Sequence, residues 1–306
     1  MMLAKPYTRL REAFLGSAFT LPEAQKVMGS TLGSTKVIIS RLKQAGQIVR
    51  LRRGEYRLIR PESYIKLQEL RQKNPKLYQL ALEIYRRYPN LKMVAFYGSQ
   101  LTDRADKYSD YDALLILPEV LSDKNKKSFR QELEEKLEIK LHLIVCSEKT
   151  YRAMLLIEPQ LKFWLNEAII LDEASISSTP PPPTAKFGYL EALRTAEVYL
   201  EIAEGSARGA SYYITALEIA LMLDHALKLD YNFENVRKDI EKFVDIRLIS
   251  AVRKDPISPR KISAKHIQAL KNTTRKKLRE VRMQLGLLGR NESDLYWMSR
   301  LGRGHK

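Results

Sequence analysis

The sequence contains few of the residues that cross-link a chain or bind transition metals. Its 306 residues include one cysteine, Cys146, and four histidines, His142, His225, His266 and His305. A single cysteine excludes an internal disulfide, and histidines scattered without ligand spacing argue against a zinc site.

Long apolar runs are also absent. No stretch of about 18 residues is free of charge, which argues against a membrane span. The charged start, MMLAKPYTRLREAF, has no apolar centre of the kind that secretion signals carry. With 44% hydrophobic and 29% charged residues, the composition is that of a folded globular chain. We expect a cytoplasmic protein of two or three domains with no membrane partner.

Negative charge is scarce at both ends of the chain. The formal net charge is +17. Residues 1–70 hold 13 basic and 5 acidic side chains, residues 186–306 hold 23 and 15, and the middle, 71–185, holds 17 and 16. This distribution predicts two flanks that contact nucleic acid and a nearly neutral centre with another role. The alternative is that the excess charge serves solubility alone.

One segment has the composition of a linker. Four consecutive prolines lie within 177–188 and favour a stiff, extended spacer. We predict four parts: a DNA-binding domain over 1–70, a central domain over 71–175, a linker over 176–187 and a helical bundle over 188–306. The predicted fold class is α+β with several domains.

The first 60 residues have the pattern of three helices followed by a two-stranded ribbon. Thr20 and Glu23 have the spacing of a capping box. Ser34 is placed to cap a third helix over 35–45, which Gly46 would end. The stretch QIVRLRRGEYRLIR predicts a hairpin that turns at 53–55.

This pattern resembles a winged helix-turn-helix domain, and SRLKQAGQIVRLRRGEYRL is similar to the N-terminal winged helices of bacterial abortive-infection antitoxins. The resemblance implies that the third helix enters the major groove of duplex DNA and that the ribbon touches its backbone. The residues it brings near DNA are Ser34, Thr35, Lys36, Ser40, Arg41, Lys43, Arg50, Arg52, Arg53 and Arg57. The alternative is a winged helix that binds protein only.

The central domain contains a pair of aspartates that needs an explanation. An apolar stretch over 91–97 ends at Gly98 and Ser99, and ten residues later Asp110 and Asp112 precede the apolar run 113–117. Residues two apart on a strand share a face, so the two carboxylates would lie side by side and repel each other. A Mg²⁺ ion bound by both carboxylates and by substrate phosphates would relieve that repulsion. Two aspartates in a turn are the alternative.

The segment FYGSQLTDRADKYSDYDALLIL resembles the signature of the polymerase beta nucleotidyltransferase superfamily. The resemblance implies that Asp110 and Asp112 bind Mg²⁺ or Mn²⁺ and that Gly98 and Ser99 bind the triphosphate of an NTP substrate. It extends to a third strand in LEIKLHLIVCSEKTY and to a last helix and short strand in EPQLKFWLNEAIILDE. The family often has an arginine soon after Ser99, a role for which Arg104 and Lys107 are the candidates.

The third acid that the family usually carries is missing. His142 stands at the matching position of the third strand, and no Asp or Glu lies between Glu138 and Glu148. His142 can serve as a general base near neutral pH. The other interpretation is a weakened or inactive site.

From residue 187 onward the pattern predicts a helical bundle, with an apolar central helix over 209–228. It resembles the HEPN-like or substrate-binding bundles that accompany minimal nucleotidyltransferases. The arginine–histidine motif of HEPN ribonucleases is matched only out of place, by Arg260 and His266, so ribonuclease activity is not expected. A cationic stripe of Lys271, Arg275, Arg279 and Arg282 is suited to phosphates or to solvent.

Two functions follow. The first is a Mg²⁺-dependent nucleotidyltransferase that moves a nucleoside monophosphate from an NTP to a hydroxyl, with DNA, tRNA or another RNA contacted by the basic flanks. The second is a DNA-binding regulator, related by analogy to toxin–antitoxin systems, whose nucleotidyltransferase fold is not catalytic. The sequence does not specify the acceptor or the oligomeric state.

Overall fold

The structure is a computed structural model. It describes residues 5–15, 17–102, 109–172, 176, 184–206, 209–245, 249, 252 and 263–287. The chain divides into two compact units: Met1–Tyr151 with Ala168–Ser178, and Arg152–Glu167 with Thr179–Lys306. The α+β class agrees with the prediction, while the predicted linker over 176–187 lies mostly outside the described residues. Within the described residues, no helix combines the length and apolar character that crossing a bilayer requires.

The first unit begins with three helices and a small antiparallel sheet. The helices are α1 (Lys5–Phe14), α2 (Leu21–Met28) and α3 (Leu32–Gln44), and the strands are β1 (Ala18–Thr20), β2 (Ile48–Arg52) and β3 (Glu55–Leu58). The sheet order is β1-β3-β2. Tyr7, Leu10, Phe19, Ile39 and Leu58 are among the buried side chains that pack the helices onto this sheet.

Local signals account for most of these boundaries. The backbone N–H and the hydroxyl of Thr20 both donate to the Glu23 carboxylate at 2.7 Å, as the capping-box spacing predicts. Gly46 and Gly54 adopt positive φ, at 73° and 79°, after α3 and in the hairpin turn. Helix α3 starts earlier than predicted because Thr31 is the cap, its hydroxyl oxygen accepting from the Ser34 N–H at 3.2 Å.

The remainder of the first unit is built on a four-stranded sheet. Its elements are α4 (Pro61–Lys73), α5 (Pro75–Arg87), β4 (Met93–Tyr97), β5 (Tyr111–Leu117), α6 (Asp123–Leu137), β6 (Leu141–Ser147) and β7 (Ile169–Leu171). The order is β6-β5-β4-β7. β6 runs parallel to β5, while β4 is antiparallel to both β5 and β7. The predicted domain boundary at residue 70 falls inside α4.

A buried ion pair connects the small sheet to the large one. The Arg57 guanidinium of β3 lies 3.0 Å from the Asp172 carboxylate, which follows β7. Arg57 also donates to the Leu91 carbonyl at 3.2 Å, and the Ser63 hydroxyl donates to Asp172 at 3.1 Å. Burial of a charged pair is tolerated when hydrogen bonds satisfy both groups. These contacts satisfy the terminal nitrogen of Arg57 and the Asp172 carboxylate, while Nε of Arg57 has no partner among the described residues.

The second unit is helical. It contains the end of α7 (Glu148–Ile157), then α8 (Pro159–Asn166), α9 (Lys186–Gly205), α10 (Gly209–Leu227), α11 (Phe233–Phe243) and α12 (Ala264–Leu287). As predicted, α10 is the central helix, buried on nearly every side. The ring nitrogens of His225 lie 2.8 Å from Asp230 and 3.0 Å from Asp239, so this histidine has hydrogen-bond partners. Residues 288–306, the last part of the predicted bundle, lie outside the described residues.

Candidate active site

The two predicted aspartates lie at the start of β5. Asp112 is the second residue of the strand and is paired in register with Tyr97 of β4 and His142 of β6. Asp110 precedes the strand. The side chains of Asp110 and Asp112 are 50% and 22% exposed, so both reach solvent at the N-terminal end of β5. The apolar remainder of β5 is buried and holds these positions rigidly.

Gly98 is the residue against which Asp112 packs. It has φ 83° and ψ −166°, a conformation that essentially only glycine adopts. A Cβ built at this position would lie 2.2 Å from Oδ2 of Asp112. The sequence motif therefore has a steric meaning: the backbone at Gly98 and the carboxylate of Asp112 occupy adjoining space, and no side chain fits between them.

The turn after Gly98 is short and is held in place by side-chain hydrogen bonds. Ser99–Leu101 forms a single 3-10 turn rather than the start of a longer helix. The Asn74 side-chain amide donates to the Gln100 carbonyl at 3.1 Å, while the Asn74 oxygen accepts from the Leu77 N–H and caps α5. The Gln100 amide donates to the Ser109 carbonyl at 2.9 Å. The sequence did not reveal the contact between Asn74 and the turn, because it joins residues 26 apart.

Each carboxylate has a basic neighbour on or beside β6. Nδ1 of His142 lies 3.0 Å from Oδ1 of Asp112, and Nζ of Lys140 lies 3.6 Å from Oδ1 of Asp110. The hydrogen bond to Asp112 raises the pKa of His142, against the opposing effect of its partial burial. The parallel register places His142 directly beside Asp112, as alignment of the apolar pattern predicted.

The donors fit one hard divalent cation. Among the described residues, no group of three or more histidine, cysteine, aspartate and glutamate side chains is arranged to hold a metal ion. Two carboxylates with phosphate oxygens from a substrate are nevertheless a usual environment for Mg²⁺. The Asp112 carboxylate occupies the space that a Cβ at Gly98 would need, so a candidate metal ligand lies directly against a stretch of backbone without a side chain. His142 stands where a third acid would lie, and within the described ranges no third carboxylate joins Asp110 and Asp112 to hold a second ion.

Two of the ten predicted DNA contacts in the N-terminal part are wrong. Thr35 is fully buried, and its hydroxyl donates to the Thr31 carbonyl at 2.9 Å. Arg57 is 2% exposed and pairs with Asp172. Both face the protein interior. The other eight are exposed: Ser34, Lys36, Ser40, Arg41 and Lys43 on α3, and Arg50, Arg52 and Arg53 on the hairpin.

The cationic stripe predicted on α12 is largely paired with acids of α9. Lys271 and Arg275 both contact Glu204, and Arg282 contacts Glu197. Arg279 is exposed. Neutralisation by α9 reduces the charge that this face offers to phosphates. Arg104, Lys107, Arg260 and the four consecutive prolines of the predicted linker lie outside the described residues.

Comparison with known proteins identifies the central part of the chain. The family model of the nucleotidyltransferase domain matches residues 77–176, from within α5 to just beyond β7. No curated protein matches the chain. The chain thus carries a nucleotidyltransferase domain of the polymerase beta type, a class whose substrate is a nucleotide. The match covers the strands and the turn described above and does not extend to the N-terminal helices or the bundle.

Proposed function

We propose that the protein is a Mg²⁺- or Mn²⁺-dependent enzyme that transfers a nucleoside monophosphate from an NTP to a hydroxyl of a nucleic-acid or protein acceptor. The observation that carries this proposal is the packing of Asp112 against Gly98. A carboxylate and a side-chain-free backbone adjoin at one strand edge, so a metal ligand and a phosphate site share one location.

In this proposal, different residues of the candidate site bind the cation and the triphosphate. Asp110 and Asp112 would hold the cation, and Gly98 and Ser99 would contact the triphosphate through backbone and hydroxyl groups. When bound, the cation neutralises charge on the phosphates and on the leaving pyrophosphate. Lys140, which is 76% exposed beside Asp110, adds positive charge at the same edge.

The reaction itself needs one proton acceptor. The acceptor hydroxyl oxygen forms a bond to the α-phosphorus, the bond from that phosphorus to the pyrophosphate oxygen breaks, and pyrophosphate leaves. His142 receives the hydroxyl proton, a role that its 55% exposed side chain and its hydrogen bond to Asp112 support. The carboxylate then orients the ring and stabilises the imidazolium that forms, as in other carboxylate–histidine pairs.

Label transfer tests the proposal. The protein is incubated with each α-labelled NTP, Mg²⁺ or Mn²⁺, and tRNA, DNA or protein acceptors. We expect transfer that is lost in the Asp110→Asn/Asp112→Asn double variant, because isosteric amides keep the shape and remove the charge. Asp123→Asn is the matched control, since that side chain is 99% exposed at the start of α6. Absence of transfer to every acceptor would favour the non-catalytic regulator.

We further propose that the N-terminal part binds duplex DNA as a winged helix, with α3 in the major groove and the β2–β3 hairpin on the backbone. The support is the order of its helices and strands and the concentration of exposed basic and hydroxyl side chains on α3 and the hairpin. Short polar residues on a helix reach base edges, while arginines on a ribbon contact phosphates.

Duplex binding by the full chain tests this second proposal. Arg41→Ala and Arg53→Ala should each weaken binding, whereas Lys124→Ala, an exposed lysine of α6 in the same unit, should leave it unchanged. If the regulator hypothesis is correct, DNA binding persists while the double aspartate variant changes nothing. If all three variants bind alike, the N-terminal surface is not the DNA site.

A further inference from the structure

Helix α3 has a valine on the side that is turned away from the protein. Val37 is 50% exposed. Thr35 and Ile39, which lie two residues before and two residues after it, are buried together with Leu42 and form the inner side of the helix. Because each residue turns the helix by about 100°, Val37 lies almost opposite this inner side. It is therefore at the centre of the exposed face of α3.

Three of the four residues that lie one turn from Val37 are small. They are Gly33, Ser34 and Ser40, and the fourth is Arg41. A Cβ added at Gly33 would meet no atom within 4 Å, so the surface beside it is open. Short neighbours of this kind allow a rigid partner to approach closely. Such a partner would reach the methyl groups of Val37.

Positive charge lies on both sides of Val37. Arg41 is on one side of the exposed face, and Lys36 and Lys43 are on the other. All three are exposed, and among the described residues none of them has an ion pair. The helix itself contains no Asp or Glu. In contrast to the cationic stripe of α12, this face keeps its full positive charge and favours a partner with negative charge on both sides of its contact surface.

The major groove of duplex DNA has this arrangement. Phosphates line both of its sides, and its floor consists of base edges that carry hydrogen-bond donors and acceptors. The 5-methyl group of thymine is the one methyl group on this floor. Valine neither donates nor accepts a hydrogen bond, so against a polar base edge it would displace water without replacing the lost hydrogen bonds. Thymine is the base that avoids this cost.

We infer that Val37 determines sequence specificity by contacting the 5-methyl group of a thymine in the major groove. The inference rests on the proposed binding of duplex DNA by α3, and it adds the base that the helix reads. Lys36, Arg41 and Lys43 contact phosphates, which position the helix and carry no sequence information directly. The protein should therefore prefer duplexes that present a thymine at one position.

Uracil substitution tests the contact, because uracil lacks the methyl group of thymine and forms the same base pair. The full chain selects duplexes from a pool of random sequence, and each thymine of an enriched duplex is then replaced in turn by uracil. At one position, uracil should weaken binding about fourfold, as the loss of one buried methyl group predicts. Val37→Ala should bind the uracil duplex and its parent equally, since the shorter side chain does not reach the methyl group.

Val120→Ala is the matched control, because Val120 is a 66% exposed valine of the same unit. This variant should retain the preference for thymine over uracil. Alanine is a better helix former than valine, so Val37→Ala should not lower the midpoint of thermal unfolding, and its loss of preference is then no effect of folding.

The outcomes separate this inference from the proposal on which it rests. If the full chain retains no duplex, the proposed DNA binding is wrong and the inference falls with it. If duplexes are retained without an enriched sequence, DNA binding stands and Val37 reads no base. The inference is also wrong if uracil has no effect at any position, or if Val37→Ala still prefers thymine to uracil as strongly as the native protein does.

Discussion

At the scale of single residues, Gly98 has the clearest steric role, because its backbone lies against the Asp112 carboxylate. Gly98→Ala would force a Cβ into the space of the Asp112 carboxylate at a positive φ of 83°. We expect loss of nucleotide transfer and a fall of about 1–3 kcal/mol in the free energy of unfolding, the usual range for a strained backbone conformation. Label transfer and urea unfolding measure the two effects.

Gly286→Ala provides the comparison for that variant. Gly286 lies in α12, and a Cβ there would meet no atom within 4 Å. Alanine is the better helix former by roughly 1 kcal/mol, so this change should stabilise the protein and leave transfer intact. Equal effects of the two substitutions would contradict the steric role of Gly98.

His142 provides a second residue-scale prediction. His142→Ala removes the proposed proton acceptor and should lower the transfer rate about 100-fold, within the range for general bases. His142→Asp should recover much of that rate, because a carboxylate at the same register position beside Asp112 can take up the proton and bind metal. His266→Ala, at an exposed histidine of α12, is the control. If the aspartate variant is no better than the alanine variant, His142 has another role.

The sequence pattern predicted which residues lie together at the candidate site, and it misplaced two residues that were expected to face DNA. Gly98, Ser99, Asp110 and Asp112 were found because their spacing along the chain is fixed by the strand and turn that bring them together. Arg57 was misplaced because a sequence alone does not reveal its counter-ion, Asp172, which lies 115 residues away. Thr35 was misplaced because threonine occurs both on exposed helix faces and at buried positions where its hydroxyl is hydrogen-bonded, and the sequence does not distinguish the two.

At the scale of elements, Asp224 of α10 contacts one side chain just after that helix and two side chains on α12. It accepts hydrogen bonds from Lys228 at 2.9 Å, Lys277 at 3.0 Å and Gln284 at 3.2 Å. Burial opposes ionisation, but the hydrogen bonds from these partners outweigh it and lower the pKa of Asp224. The carboxylate therefore stabilises the packing of α12 on α10 while it is ionised.

The pH dependence of that contribution follows from the sign of the shift. A depressed pKa gives stability that is fully present above the unfolded value of about 3.9 and is lost as the pH falls through the folded value. Asp224→Asn should lower the free energy of unfolding by about 2 kcal/mol near pH 6, as expected for hydrogen bonds to a charged group. The difference from the native protein should shrink below about pH 4. Urea unfolding from pH 3 to 7 tests this, with Asp123→Asn as the control, and a pH-independent difference would refute it.

Long elements with a regular apolar pattern were predicted well, and short ones were not. Helix α10 and strands β4, β5 and β6 were predicted near their observed bounds, because each of them is a long run of mostly apolar residues. Strand β1 was missed, since three residues are too few to display an alternation. The start of α3 was displaced because Thr31 and Ser34 are both acceptable caps and only the folded contact distinguishes them.

At the scale of the whole molecule, the net charge of +17 predicts that DNA binding depends steeply on salt. Arg57 is buried, Arg52 pairs with Glu55 and most of the α12 stripe is paired. About five exposed basic contacts are left on α3 and the hairpin, those of Lys36, Arg41, Lys43, Arg50 and Arg53. Neutralising about five phosphates gives a slope near −4.5 in log affinity against log salt concentration. Arg41→Ala should make the slope shallower by about 0.9, and Lys124→Ala should not change it. A flat response would exclude the basic surface as a nucleic-acid site.

The ion pair between Arg57 and Asp172 has a consequence for how this chain can be shortened or recombined. One partner belongs to a hairpin near the start of the sequence, and the other follows the last strand of the nucleotidyltransferase sheet. A fragment cut at residue 70 would lose Asp172 together with Tyr85, Tyr88 and Leu91, which cover or hydrogen-bond the Arg57 guanidinium. The strand β3 would then expose a surface that is buried in the whole chain. The N-terminal part should therefore be transferred to another protein only together with the four-stranded sheet, because that sheet supplies Asp172, the counter-ion of Arg57.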